Sequence, residues 1–317
     1  MSPKLSIVVL AWNQCDVTLA CLDSLSVLNY PANRPEIILV DNGSTDDTTR
    51  AVQASCPSVS VLTNKENLGY AGGNNVGLRH ALVQDADYVC ILNNDVRVSP
   101  DFLAPLLAAC QSRPDVGIAT PLVAEAVDSQ KIWALGSAVN WKTAEVTRLH
   151  AGEPVSVWQF GAPLEVDVAS GTAMLVSRQV LEQVGLLDEA FYLYYEETDW
   201  CLRARRAGYR ILAVPSSVVW HKVSATLGQT SPVIDYYMVR NHLLFIARHA
   251  PAADRLRLLG QTVLCDVLTI AAFTVKPHRG RRLPHRNARV LALRDAFLGR
   301  WGRMGADVTA ICYPNSR

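Results

Sequence analysis

Four short apolar runs, at residues 6–10, 36–40, 59–62 and 88–92, are separated by segments with helical periodicity. This alternation constrains the fold more than any other feature of the chain. The first separator carries the stripe Val17, Leu19, Cys21, Leu22 and Leu25, and the others lie at residues 46–55 and 71–82. Repeated strand–helix units demand right-handed crossovers, and so a mostly parallel sheet with helices on both faces. An α/β, Rossmann-like nucleotide-binding half over residues 1–115 is therefore predicted. From about residue 116 the pattern becomes irregular, with Trp133, Trp141 and Trp158 among short segments. Order is expected to return at 166–176, in a helix near 178–184, over 191–209, and in an extended run at 212–220. These segments give a second half, 116–235, of one domain spanning 1–235. After Asp235 the chain reads as helical to the end, a C-terminal extension over 236–317 broken by a basic, proline-containing linker at 276–286.

Open α/β sheets bind ligands outside the carboxyl ends of their strands. The fourth run, Tyr88-Val-Cys-Ile-Leu92, ends on Asn93, Asn94 and Asp95. These side chains stand where oxygen atoms can hold a hard divalent cation and a phosphate, although Asn/Asp-rich turns also follow strands with no ligand at all. The second run ends on Asp41-Asn-Gly-Ser-Thr-Asp-Asp47. Gly43 permits a tight turn and the polar residues can cap a helix, while Asp41 is placed to accept a hydrogen bond from a pyrimidine N–H. Asn67-Leu-Gly-Tyr-Ala-Gly-Gly-Asn-Asn75 is a glycine-rich loop opening a helix, a form that can present backbone N–H groups to phosphate. It matches neither GxGxxG nor a P-loop.

Taken in order, the first strand with Ala11 and Asn13, DNGSTDD, NLGYAGGNN and LNND resemble family 2 glycosyltransferases of the GT-A fold, and most closely their rhamnosyltransferase-like branch. The resemblance extends over roughly residues 4–250. Residues 169–176, with Ser170 and Gly171, resemble the acceptor-side strand of that family. Residues 191–209 resemble its acidic catalytic helix, and Trp220-His221 resembles the histidine that completes its metal site. The resemblance implies an inverting transfer from a nucleotide-sugar donor, with dTDP-rhamnose favoured and a UDP-sugar or GDP-sugar as alternatives. The implied acceptor is a bacterial glycan or a polyprenyl-diphosphate-linked glycan. It implies Mg²⁺ or Mn²⁺ held by Asp95 and His221, Ala11, Asn13 and Asp41 around the base, and Asn67, Gly69, Gly72, Asn74, Asn93 and Asn94 beside the donor. Only one carboxylate remains in NND, so the donor and water must complete the cation's coordination.

The acceptor hydroxyl needs a general base. Glu196, Glu197 and Asp199 are the candidates, with Glu197 first because it matches the family's catalytic aspartate by position, and Asp199 second. Glu196 and Asp199 are expected to share a helix face, and Asp199 to pair with Arg203. Trp200 and Arg240 are expected on the acceptor side, although helix packing would also account for Arg240.

Charge divides the chain. Residues 1–235 hold 16 Lys/Arg against 25 Asp/Glu, and residues 236–317 hold 14 against 4. A basic tail points to an anionic surface: either peripheral membrane contact or, for the apolar stretch 256–275, a homodimer through C-terminal helices. That stretch is interrupted by Arg257, Gln261 and Asp266, which argues against a spanning helix. Nucleic acid is excluded as a partner because the tail lacks interleaved aromatics. The eight cysteines show no CxxC spacing, and Lys4 leads directly into the first strand without a signal-peptide pattern, so a cytoplasmic protein with reduced thiols is expected. Two rivals remain: a sugar-phosphate nucleotidyltransferase, which would need a basic glycine-rich loop where Ala11-Trp-Asn-Gln-Cys15 stands, and an inactive glycan-binding scaffold.

Overall fold

The computed structural model describes residues 3–30, 34–222, 231–276 and 282–313. The first half alternates as the sequence requires: β1 (Leu5–Ala11), α1 (Cys15–Ser26), β2 (Glu36–Asp41), α2 (Thr48–Ser55), β3 (Ser60–Thr63), α3 (Gly69–Val83) and β4 (Tyr88–Asn93). Then come β5 (Val96–Val98), α4 (Leu103–Gln111), β6 (Val116–Glu125), β7 (Ile132–Ala134), β8 (Ser137–Asn140), β9 (Glu145–Arg148), α5 (Val155–Trp158), β10 (Leu164–Glu165), β11 (Ala173–Ser177) and α6 (Arg178–Gln183). The acidic helix α7 (Glu196–Arg206) precedes β12 (Arg210–His221), and α8 (Pro232–His249), α9 (Arg255–Val275), α10 (Leu283–Phe297) and α11 (Ala306–Cys312) follow.

The main sheet runs β10-β12-β6-β11-β4-β1-β2-β3, with β5 and β7 attached at β12 and β6. It is parallel through β3, β2, β1 and β4 and again between β6 and β12, while β11 runs antiparallel to both of its neighbours, β4 and β6. Strand alternation sends Val8, Ile38 and Ile91 into the core on one face and Ile7, Leu39 and Cys90 into the core on the other. With both faces buried, the runs read as continuously apolar.

Three sequence expectations shift. Of residues 166–176 only the end is strand, β11. The helix expected over 191–209 begins at Glu196, because the residues before it turn too sharply to be helical. The linker 276–286 lies mostly outside the described residues, as do Arg279 and Arg281. Among the tail's described arginines several are internally paired, Arg289 with Asp235 and Asp266 and Arg294 with Asp295 and Asp307. The basic excess is therefore partly neutralised within the fold.

α8 holds the turn at 191–195 through its side chains. Tyr192, Tyr194 and Tyr195 all have left-handed backbones, at φ 64°, 68° and 74°. Aromatic residues avoid this region, so such a cluster persists only when its surroundings impose it. The constraint is Asn241, whose buried amide Nδ2 shares its hydrogens among the carbonyls of Phe191, Leu193 and Tyr194 at 2.7, 2.8 and 2.9 Å. Arg240, fully buried, adds bonds to the carbonyls of Ala190 and Phe191.

Candidate active site

A cavity of about 780 Å³ opens at the carboxyl ends of β1, β2 and β4. Ten of the residues singled out from sequence line it: Asn67, Gly69, Asn93, Asn94, Asp95, Ser170, Gly171, Glu196, Glu197 and His221. A smaller hollow of about 290 Å³ lies elsewhere, against Trp141, Leu202 and His249, and carries none of this chemistry.

The metal-site candidates meet through strand pairing. β5 pairs antiparallel with β12 in the register His221↔Val96, which sets His221 beside Asp95 although 125 residues separate them in sequence. His221 Nε2 lies 3.3 Å from Asp95 Oδ1. Both side chains are nearly buried, and neither Asp95 Oδ1 nor His221 Nδ1 has a hydrogen-bond partner. Adjacent ligands of an octahedral cation with bonds of about 2.1 Å stand roughly 3 Å apart, so the pair fits two neighbouring positions. Among the described residues no cluster of three or more His, Cys, Asp or Glu is arranged to hold a metal. The protein's share of any cation site here is two side chains. Trp133 meets the His221 ring edge-on at 6.0 Å, and the Arg148 guanidinium stacks 3.6 Å above Trp133.

Across the cavity, Glu196 and Glu197 begin α7. Glu196 is 3% exposed and its Oε2 is unpartnered. Burial, and then the neighbouring Glu197 charge, pushes its carboxyl well above the ordinary carboxylate range. Burial pushes Glu197 up as well. The two therefore resist carrying two charges together, and a raised pKa brings a carboxylate closer to the value that suits a general base near neutrality. The Tyr70 hydroxyl donates to the Gly171 carbonyl, and burial followed by the Glu197 and Glu196 charges holds that phenol well above its usual value. A Cβ on Gly171 would lie 3.4 Å from Glu197 Cγ, in ordinary contact, so the Gly171 segment packs directly beside this side chain.

Asp199 takes a different part. Its carboxylate is 1% exposed, accepts from Arg203 Nε and lies against His249 Nε2, both at 2.7 Å, and is not in the cavity wall. Glu196 and Asp199 stand i, i+3 as expected, but only Glu196 lines the cavity, while Arg203 and His249 hold Asp199. Trp200 is fully buried, with its indole N–H donating to the Gly185 carbonyl. Arg240 likewise serves the 191–195 turn. None of the three lines the cavity.

The glycine-rich loop also differs from expectation. Its amides are already committed: Leu68 N–H donates to Asn42 Oδ1, Gly69 N–H to Asn67 Oδ1, and Tyr70 N–H to the Tyr192 carbonyl, at 3.0, 2.8 and 2.7 Å. No free amide cradle remains at the start of α3. The glycines instead allow close approach. A Cβ on Gly69 (φ +75°) would fall 2.4 Å from the Tyr192 carbonyl, and one on Gly77 would fall 2.4 Å from Val8 Cγ1. Gly72 and Asn74 are outside the cavity wall; Asn74 donates to the Tyr70 carbonyl within the helix.

The base-side expectations change for a related reason. Ala11 is fully buried in the sheet, Asn13 Oδ1 accepts from Thr45 N–H, and the Asp41 oxygens accept from Ser44 N–H and Thr49 O–H. These residues build the turn, and the cavity wall beside them is Leu10, Trp12 and Asn42. Sequence reasoning missed Tyr70, Trp133 and Arg148 as lining residues, together with Tyr237, Met238, Arg303 and Tyr313 from the C-terminal extension. The tyrosines that flank the acidic residues in sequence, Tyr192, Tyr194 and Tyr195, do line the cavity.

A strand-end cavity on this sheet, lined by the Asp95–His221 pair and by the adjacent carboxylates of Glu196 and Glu197, is that of a glycosyltransferase of the GT-A fold that uses a nucleotide-sugar donor. The model of glycosyl transferase family 2 matches residues 6–185, and the chain belongs to that family, in its rhamnosyltransferase-like branch. It is 24% identical over 272 residues to dTDP-rhamnosyl transferase RfbF of Shigella flexneri, covering 83% of this chain and 86% of that protein. It is 30% identical over 226 residues to N-acetylglucosaminyl-diphospho-decaprenol L-rhamnosyltransferase of Mycobacterium tuberculosis, covering 65% and 72%. The fold is also that of mannosyltransferase PcManGT from Pyrobaculum calidifontis in complex with GDP-Man and Mn²⁺ (TM-score 0.58, 17% identity, 95% and 88% covered). S. aureus TarS 1-349 in complex with UDP-GlcNAc is similar at TM-score 0.59, with 16% identity and 97% and 83% covered.

Proposed function

We propose that this protein transfers L-rhamnose from dTDP-rhamnose, with inversion, to a glycan or polyprenyl-diphosphate-linked glycan at the cytoplasmic face of a membrane. The observation that supports the reaction type is the presence, in the wall of one cavity, of the Asp95–His221 pair, each with an atom lacking a hydrogen-bond partner, and of the buried Glu196 beside the half-buried Glu197. The choice of sugar and acceptor draws on the two rhamnosyltransferase relatives. Asp95 and His221 would hold Mg²⁺ or Mn²⁺, which when bound supplies Lewis-acid stabilisation of the departing diphosphate.

Glu197 takes the proton from the acceptor hydroxyl as that oxygen forms its bond to the anomeric carbon and the nucleoside diphosphate leaves with the bonding electrons of the C–O bond. Glu196 stays protonated in its buried position, so that Glu197 alone carries the negative charge. Tyr70 holds the Gly171 segment against Glu197 and fixes the carboxylate's approach. The wall of tyrosines from 192 to 195 excludes water that would otherwise compete with the acceptor.

The test is a panel of dTDP-, UDP- and GDP-sugars with Mg²⁺ or Mn²⁺, with products read by mass spectrometry. Transfer from dTDP-rhamnose above all others is expected. Turnover confined to a UDP- or GDP-sugar overturns the rhamnose assignment. No turnover, together with no metal-dependent thermal shift by any nucleotide, overturns the enzyme reading.

A further inference from the structure

α9 presents a long outward face with nothing on it. Leu256, Leu264, Val267, Leu268 and Val275 are 83, 58, 48, 60 and 78% exposed. From Leu258 to Val275 the only charged residue is Asp266, which is buried and held by Arg289 Nη1 at 2.9 Å on the inward side. The 18-residue apolar window of this helix is only 11% buried, so it is not the core helix of the extension. At about 1.5 Å per residue its 21 residues give an exposed apolar stripe roughly 30 Å long.

The ends of the stripe are basic. At its start Arg257 is paired with Asp254 at 2.8 Å and Arg255 donates to the Ala250 carbonyl, which leaves one net positive charge, and Lys276, Arg282 and Arg286 stand at its finish, where no carboxylate pairs with them among the described residues. This charge pattern discriminates between occupants. A second copy packed antiparallel along the stripe would set one basic end against the other, and a parallel copy would set each end against itself. Either arrangement juxtaposes like charges, whereas an anionic lipid surface complements both ends and receives the apolar stripe between them. Crossing the bilayer is ruled out by the inward face: Leu258, Leu259, Val263 and Ile270 pack onto the extension, and Asp266 is tied to Arg289.

We propose that α9 is an interfacial membrane anchor: it lies flat on an anionic leaflet with Leu256, Leu264, Leu268 and Val275 in the headgroup–acyl boundary and its basic ends on lipid phosphates. α9 packs on α8, and α8 contributes Tyr237 and Met238 to the cavity wall. The anchor thus sets the active site at the membrane surface, within reach of a lipid-borne acceptor. The anchor rests on α9 alone; only its use for catalysis rests on the function proposed above.

The experiment is flotation of the full chain with phosphatidylcholine vesicles, with and without phosphatidylglycerol, alongside L264E/L268E and K276E/R282E. The wild type is expected to float with the anionic vesicles and to be released by salt. L264E/L268E should bind on the order of tenfold or more weakly, and K276E/R282E several-fold more weakly, since each basic residue near an anionic surface adds attraction. Both variants should keep the wild-type melting temperature and nucleotide-induced thermal shift, which separates lost anchoring from lost folding. Equal flotation of wild type and L264E/L268E, or no flotation of either, overturns the anchor. So does a wild-type dimer in light scattering that L264E/L268E dissolves, because the face would then be a subunit contact. Vesicle binding without sugar transfer from any donor would sink the function and leave the anchor standing.

Discussion

The glycine-rich start of α3 and the acidic start of α7 are both helix beginnings that face one cavity, and they are built in opposite ways. At α3 every early amide is satisfied and each glycine is pressed against a neighbour. At α7 the turn before the helix holds three left-handed tyrosines, and Glu196 keeps a buried oxygen without a partner. The contrast lies in the backbone amides at α3, which are committed to shaping the turn, and in a carboxylate oxygen at α7 that stands open in the cavity wall. Asp95 and His221 follow the second pattern, with one unpartnered atom each. Buried polar groups without partners are costly, and three of those in this fold, on Asp95, Glu196 and His221, line one cavity.

Glu197→Gln should break the open side most severely. A lost general base costs roughly 10²–10⁴-fold in kcat, with nucleotide binding by calorimetry unchanged. Retained turnover in this variant would remove Glu197 from its role. Asp199→Asn should sharpen the contrast from the satisfied side. Breaking its buried pairing with Arg203 and His249 should destabilise the fold by about 3 kcal/mol in denaturant melts, while leaving most of the turnover per folded molecule. A variant of wild-type stability but without activity would reverse the two assignments.

Asn241→Ala should lie between these limits. It strips the shared donor from three carbonyls and should cost about 2 kcal/mol, with kcat falling as the tyrosine turn relaxes. Gly77→Ala drives a methyl into Val8 and should cost roughly 1–3 kcal/mol without changing donor KM.

The smallest effects are on pH dependence, and the two carboxylates should give opposite signs. Burial, and then Glu197, raises the Glu196 pKa above its ordinary 4.5. As pH rises above that value the unfolded chain gives up the proton before the folded one does, so wild-type stability falls across the interval up to the folded pKa. Glu196→Gln removes this loss, and its melting temperature should gain on wild type as pH increases. Burial also acts to raise the Asp199 pKa, but the His249 hydrogen bond and the Arg203 charge outweigh it and hold the carboxyl below 3.8. The stability from Asp199 is therefore present above that value and is lost as pH falls through the folded pKa, a loss that Asp199→Asn should not show.

Much of this protein is determined by local sequence pattern. The runs at 6–10, 36–40, 59–62 and 88–92 became β1 to β4 with ends shifted by a residue or so, because an apolar run closed by turn residues has few other ways to bury itself. The placing of Asn93, Asn94 and Asp95 at a strand end follows from the same pattern. Which polar residues face the ligand does not. Asp41 and Asn13 have the right chemistry and spacing, yet neighbouring backbone groups claim their hydrogen bonds, and those partners become visible only when the loops fold together. The separation of Glu197 from Asp199 depends on His249, 50 residues away, and the union of Asp95 with His221 depends on the pairing of β5 with β12. Periodicity is a property of neighbours in the chain, so the sequence determines the elements and the strand ends of this fold. Satisfaction of a buried polar atom is a property of neighbours in space, so only the tertiary structure decided which of those residues were left open for chemistry.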